Sequence, residues 1–233
     1  MVAPTMRIAE IFKSLQGEGR LTGTPSVFVR ASGCNLRCRY CDTPYASFQP
    51  EGEDLSVDEI VARVEELGER HVVLTGGEPM LFAELVPLCQ QLRRLDYHVT
   101  IETAGTLFLP VACQLMSISP KLSNSTPPAE RDPRWHSRHE SSRHAPEVIR
   151  RLITEYDYQL KFVVDSPTDC LEVERYLADF PEIDRARVLL MPQGTDAAAL
   201  SKTAEWLESY CHGRKLTFCP RRQIDWFGSV RGT

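Results

Sequence analysis

Cys34, Cys38 and Cys41 follow one another in a C-x-x-x-C-x-x-C spacing. One short loop can therefore present three thiolates to a single site. Thiolates are soft ligands suited to iron–sulfur clusters and to zinc. A structural zinc ion is usually held by four ligands in two matched pairs, and no second pair with such spacing accompanies this group. Three thiolates on a 4Fe–4S cubane leave one iron without a protein ligand, open to a small molecule and to one-electron chemistry. A zinc knuckle, or three cysteines that merely pack, is the competing reading of the same loop.

The elements that must position this loop are legible as an alternation. Ser26–Ser32 (SVFVRAS) predicts a strand that runs into the cysteines. Ser56 opens a helix with a capping box, since Glu59 stands three residues on; Val57, Ile60, Val61, Val64 and Leu67 follow at helical spacing. His71–Thr75 is short and nearly all apolar, as a parallel strand covered on both faces should be. Leu81, Leu85, Leu88, Leu92 and Leu95 mark the next helix, and His98–Ile101 the next strand. Further strands are expected over Leu115–Ser119, Tyr158–Val164, Arg187–Met191 and Lys215–Cys219, with helices over Glu147–Tyr156, Cys170–Ala178 and Ala197–Tyr210. Repeated β–α units imply an α/β fold of mainly parallel strands joined by right-handed crossovers, curled into a partial, open (β/α) barrel or left as an open sheet.

In such folds the working residues collect on loops after the carboxyl ends of strands. The cysteine loop follows the first predicted strand, Gly76-Gly77-Glu78-Pro79 the second, Glu102-Thr103-Ala104-Gly105 the third and Pro120-Lys121 the fourth. Four separate segments thus meet on one rim. Asn124–Pro146 breaks the rhythm, being rich in Ser, Pro, Arg and His without apolar periodicity. It is expected as an irregular insertion or site cover over about 124–146. His136, His139 and His144 within it are expected to be solvated, because no acid or thiol accompanies them at ligand spacing.

Composition sets the outer bounds. At 233 residues the chain can bury a full core, and one domain over 1–233 is the expectation. A net charge of −5 gives no general attraction to nucleic-acid phosphates. No apolar run reaches the roughly 20 residues that span a bilayer, and Met1–Phe12 lacks a basic-then-apolar leader; cytoplasmic residence follows as the default. Of the eight cysteines, Cys89, Cys113, Cys170, Cys211 and Cys219 are scattered singly. That is the pattern of core thiols beside a metal site, not of a disulfide framework. Cys89 falls on the apolar face of its predicted helix and is expected to pack as filler.

Cys34-Asn35-Leu36-Arg37-Cys38-Arg39-Tyr40-Cys41, with an aromatic residue before its third cysteine, resembles the signature of the radical S-adenosylmethionine superfamily. Ser14-Leu15-Gln16-Gly17-Glu18-Gly19 before it, Cys41-Asp42-Thr43 closing it, and Ser119-Pro120-Lys121-Leu122 narrow the likeness. Together these segments resemble the 7-carboxy-7-deazaguanine synthases, from about Arg7 to the C-terminus. That resemblance implies a 4Fe–4S cluster on Cys34, Cys38 and Cys41, S-adenosylmethionine and Mg2+. It implies the ring contraction of 6-carboxy-5,6,7,8-tetrahydropterin with loss of ammonia, on the route to queuosine and related deazapurines, by way of a 5′-deoxyadenosyl radical that takes hydrogen from C6. It further implies a flavodoxin-like electron donor and a homodimer.

Carried over residue by residue, the resemblance places Tyr40 beside the adenine. Cys41, Asp42, Gly77, Ser119, Pro120 and Lys121 would hold S-adenosylmethionine, with Gly76–Pro79 meeting its amino group; glycines let backbone approach a ligand closely. Leu15, Gln16 and Gly17 would contact the pterin ring, whose amide edge suits Gln and backbone partners. Arg30 would pair with the substrate carboxylate, a task for a planar charged fork. Thr43 would ligate Mg2+, which keeps waters and borrows substrate oxygens. Thr75 would touch substrate, with Glu102 a further polar contact. The family often carries a histidine near the C-terminal strand, whereas Arg221–Trp226 has none; Gln223 or Asp225 is the expected replacement. Two rival functions follow from the cysteine loop alone: a glycyl-radical-generating activase and a zinc-stabilised binding module.

Overall fold

The computed structural model describes residues 4–233. Nine strands form one sheet: β1 (Thr5–Leu15), β2 (Pro25–Ala31), β3 (Glu53–Ser56), β4 (His71–Gly76), β5 (His98–Thr103), β6 (Leu115–Ile118), β7 (Tyr158–Val164), β8 (Val188–Pro192) and β9 (Thr217–Phe218). The helices are α1 (Pro44–Ser47), α2 (Val57–Leu67), α3 (Leu85–Arg94), α4 (Pro133–Ser142), α5 (Pro146–Glu155), α6 (Pro167–Asp179), α7 (Ala197–His212) and α8 (Arg222–Phe227).

Strand order is β3-β1-β2-β4-β5-β6-β7-β8-β9. From β2 onward every pair is parallel, while β1 runs antiparallel to both β2 and β3. Because successive parallel strands add in one direction, right-handed crossovers bring their helices to one face, and the sheet curls about the other. The edges β3 and β9 stay unpaired with each other, so the barrel is partial and open, as expected from the alternation.

The central strands β4 to β8 are buried on both faces, which this geometry requires. Every residue of β6 and β8 is buried, as are four of six in β4. The capping box of α2 forms as predicted: Ser56 Oγ accepts the Glu59 N–H, and Glu59 Oε2 accepts the Ser56 N–H at 2.8 Å. Gly68 ends the helix at φ 73°, a left-handed position that favours glycine. The buried Ile60, Val61 and Val64 each contribute on the order of 1.5–3 kcal/mol relative to exposure. Cys89 is fully buried in the core. Among the described residues no helix is long and apolar enough to cross a membrane.

Three expectations need correction. The cysteine loop follows the second strand, not the first, because β1 precedes it and supplies the outer partner of β2. The short, polar β3 (EDLS) is recruited only as the outer edge of β1. The segment 124–146 is not irregular, since α4 fills its centre and a single tight turn at Ser123–Ser125 its start. Its apolar stripe is missing because α4 packs Trp135 and His139 against the cysteine loop, a polar surface. Nor are its histidines all solvated: His144 is exposed, beside the rings of Tyr176 and Phe180, but His136 is half-buried with its ring 2.9 Å from the Pro127 carbonyl, and His139 is 0 % exposed.

Candidate active site

A cavity of about 440 Å³ opens at the carboxyl ends of the parallel strands. Leu36, 1 % exposed, anchors the cysteine loop, and Cys34, Leu36, Cys38, Tyr40 and Cys41 all face the cavity. The intervening residues are tied down behind it. Arg37 N–H donates to His139 Nδ1 at 3.2 Å, and its guanidinium to the Cys34 and Leu36 carbonyls at 3.1 and 2.8 Å. Arg39 N–H donates to the Ser125 carbonyl, and Tyr40 OH to Asn124 Oδ1. The loop therefore owes its shape to the segment after β6.

Burial pushes the Cys34 thiol up to about 12 and Cys38 to about 11, with charge on the neighbouring cysteines acting in the same direction. Without metal these thiols hold their protons at neutral pH, and metal binding must displace them. Among the described residues no three Cys, His, Asp or Glu side chains are grouped to hold one metal ion. Three thiols that share one cavity can each bind a different iron of a cluster.

Gly76 and Gly77 bring the end of β4 against the start of this loop. A Cβ on Gly76, at φ 139°, would stand 2.2 Å from the Ala31 carbonyl oxygen, and one on Gly77 2.2 Å from that of Gly33. The next residue, Glu78, is fully buried and accepts three hydrogen bonds, from Met80 N–H, Thr103 Oγ1 and Ala104 N–H. It locks the β4 loop to the end of β5. Ser119 and Lys121 face the cavity after β6, the ammonium donating to the Ser119 carbonyl and hydroxyl, both at 2.8 Å. Pro120 between them is buried and does not line the cavity.

The rest of the lining comes from β1, β2, the end of the cysteine loop, β4, β5 and the chain end, and includes Leu15, Gln16, Gly17, Arg30, Asp42, Thr43, Thr75 and Glu102. Gln16 Nε2 donates to Ser26 Oγ at 2.9 Å, and Thr75 Oγ1 to Glu102 Oε2 at 2.8 Å. Gly17 is required by a close approach, for its Cβ would lie 2.6 Å from the Gln223 backbone nitrogen. Arg30 Nε donates to Glu10 Oε1 at 2.6 Å, and Glu10 also accepts from Tyr45 OH and Arg231. The Thr43 hydroxyl sits 3.8 Å from Cys41 Sγ.

The sequence reading missed one group at this site. Lys161, 6 % exposed, pairs with Glu18 and lies 3.8 Å from Glu102 Oε1, while Arg221 bridges Glu18 to Asp42. Burial disfavours the charged forms of Glu18 and Lys161, but their mutual attraction, with Arg221 on Glu18, keeps the carboxyl low and the ammonium high. A signal for it existed: Gln159 and Lys161 are polar at alternate positions of the otherwise apolar β7, YQLKFVV. Gln223 also reaches Glu18 and lines the cavity, whereas Asp225 pairs with Arg222 outside it. The tail Gly228–Thr233 covers part of the same cavity.

Residues 28–120 match the Radical SAM superfamily. The chain is 46 % identical to 7-carboxy-7-deazaguanine synthase of Rhodopirellula baltica, over 98 % of this chain and 89 % of that protein. It is 43 % identical to the enzyme of the same name from Halobacterium salinarum, over 95 % and 90 %. In fold it is similar to the crystal structure of QueE from Escherichia coli, with a TM-score of 0.70 at 24 % identity over 94 % of each chain. With the three cavity-facing thiols and the β4 glycine loop in place, the chain belongs to the 7-carboxy-7-deazaguanine synthase family of the radical SAM superfamily.

Proposed function

We propose that the chain, acting as one domain, contracts 6-carboxy-5,6,7,8-tetrahydropterin to 7-carboxy-7-deazaguanine with loss of ammonia. The observation that carries this reading is the meeting of three thiols, a β4 glycine loop and a cavity-facing arginine in one cavity that also holds Gln16 and Thr43. Cys34, Cys38 and Cys41 hold a 4Fe–4S cluster. Bound there, the cluster and S-adenosylmethionine supply the one-electron chemistry that takes a hydrogen atom from the substrate.

The protein's own part is positioning. Gly77, Ser119 and Lys121 hold S-adenosylmethionine with Asp42, and Tyr40, fixed through Asn124, flanks its adenine. Arg30 presents its guanidinium to the substrate carboxylate while Glu10 and Tyr45 keep its fork in plane. Leu15, Gln16 and Gly17 border the ring, with Thr75 at its far side. Glu102, held at one oxygen by Thr75, offers the other to a ring N–H. Thr43 would hold a Mg2+ ion through its hydroxyl, a hard oxygen ligand of the kind that metal takes. The Gly228–Thr233 tail limits water. A flavodoxin-like protein supplies electrons, two copies of the chain associate, and the enzyme works in the cytoplasm.

Anaerobic reconstitution followed by turnover tests this reading. The expected protein carries about four irons and four sulfides per chain (the cubane stoichiometry) and forms 5′-deoxyadenosine when the small pterin alone is added. Zinc without sulfide would refute the cluster. Formation of 5′-deoxyadenosine only with a protein partner would refute the small-molecule substrate in favour of an activase.

A further inference from the structure

Electrons must reach the cysteine loop from outside, and the two sides of that loop are not equivalent. Its inner side, Cys34, Leu36, Cys38 and Tyr40, faces the cavity assigned above to S-adenosylmethionine and substrate. Its outer side presents Arg37, whose guanidinium lies between the rings of Phe48 and Trp135, 5.5 and 4.1 Å from their centroids. Arg138 of α4 lies over the same Trp135 ring at 4.7 Å. Two guanidiniums share one indole, and Arg138 repels the charge on Arg37.

Around them the surface has an uncommon composition. Phe48 and Leu81, each 43 % exposed, are among the few large apolar side chains left in solvent. Leu81 lies beside Gly33, the residue before Cys34. Arg134 and Arg138 stand one turn apart on α4, so they share a face. The ion pairs of this region join Arg39 to Asp165 and Arg143 to Glu140 and Glu172, and among the described residues none reaches Arg134 or Arg138. Asp132 is already engaged as the N-cap of α4. Exposed aromatic and aliphatic anchors ringed by unpaired arginines are the make-up of a protein-binding surface for an acidic partner. This stands out on a chain whose net charge is −5.

We propose that Phe48 and Leu81, with Arg134 and Arg138 of α4, form the docking surface for an acidic one-electron carrier protein. The inference rests on the reading of Cys34, Cys38 and Cys41 as cluster ligands. A carrier seated there meets Arg37, which neighbours Cys38 in the chain and holds the Cys34 carbonyl. It passes a single electron to the cluster and is itself oxidised by one electron, with no bond made or broken at the surface.

The test compares wild type with R134E/R138E, both carrying the reconstituted cluster, using dithionite or a reduced bacterial flavodoxin as electron source. Neither arginine touches the cavity. Product formation with dithionite is expected to agree within about twofold, while the KM for flavodoxin rises about tenfold or more and its salt dependence flattens. The reversal R150E/R151E on the distant α5 serves as a control and is expected to change neither. Unchanged flavodoxin kinetics, equal losses with both reductants, or the same loss in the α5 control would overturn the proposal. So would a shift of the double variant from dimer to monomer, which would assign the surface to a second copy. A wild-type protein inactive with dithionite and lacking iron would instead refute the cluster reading itself.

Discussion

His139 Nδ1 accepts the backbone N–H of Arg37 at 3.2 Å, while its Nε2 stands 2.9 Å from Ser125 Oγ. The first contact needs a bare Nδ1, so Nε2 carries the proton and donates to Ser125, whose hydroxyl passes on to the Leu122 carbonyl at 2.6 Å. One neutral imidazole thus ties α4 both to the cysteine loop and to the turn after β6.

Replacing His139 by Phe keeps a planar ring, slightly larger, and strands the Arg37 N–H and the Ser125 hydroxyl. The expected cost is about 1–3 kcal/mol in urea unfolding of the metal-free protein, with weaker retention of iron on gel filtration. His139→Gln, which can still accept and donate, should recover part of both. Equal stability of the Phe variant and wild type would remove the role given to this side chain.

Burial lowers the pKa of His139 from an ordinary 6.5 to about 4. The folded state therefore holds fewer protons than the unfolded state between those values, and stability rises with pH across the window. The contribution of neutral His139 is complete above about pH 6.5 and is lost as pH falls toward 4. The stability gap between wild type and His139→Gln should be constant above neutrality and shrink on acidification. Denaturation midpoints across pH 4–8 check this; a gap that widens toward acid contradicts it.

Much of this machinery was readable from the amino-acid order because it is local. The Ser56–Glu59 cap, the β4 apolar run and the three-cysteine spacing each fit within a dozen residues, where period and propensity act directly. α4 was not readable: its buried side is Trp135 and His139 against a polar loop, so the hydrophobic period that signals a helix never forms. Long-range ion pairs were equally silent. Glu10 meets Arg231 across 221 positions, and Glu18 meets Lys161 across 143. Only the misplaced polarity of Lys161 in β7 hinted at a buried partner.

Lys161 and Glu18 are strongly interdependent. Lys161→Met leaves the Glu18 carboxylate buried with Arg221 and Gln223, and should cost about 1.5–3 kcal/mol, the worth of one hydrogen bond to a charged group. The double variant Glu18→Gln/Lys161→Met should lose less than the sum of the two single changes, since it removes both charges. A double-mutant cycle by urea unfolding measures the coupling. Additive losses would mean the two charges act independently.

Arg30→Lys keeps the charge but loses the planar fork that Glu10 and the substrate carboxylate would share. The KM for 6-carboxytetrahydropterin should rise about tenfold, or about 1.4 kcal/mol, while S-adenosylmethionine affinity stays unchanged. Equilibrium dialysis and initial rates separate the two. Loss of S-adenosylmethionine binding alone would reassign Arg30.

One conversion tests the assigned function most directly. Anaerobically reconstituted, reduced protein supplied with S-adenosylmethionine, Mg2+ and 6-carboxy-5,6,7,8-tetrahydropterin should yield 7-carboxy-7-deazaguanine and one ammonia per product, resolved by liquid chromatography and mass spectrometry. Omitting Mg2+ should slow the reaction, and substituting Cys34, Cys38 or Cys41 by Ala should abolish it. Fully loaded protein that cleaves S-adenosylmethionine yet forms no deazaguanine would contradict the account.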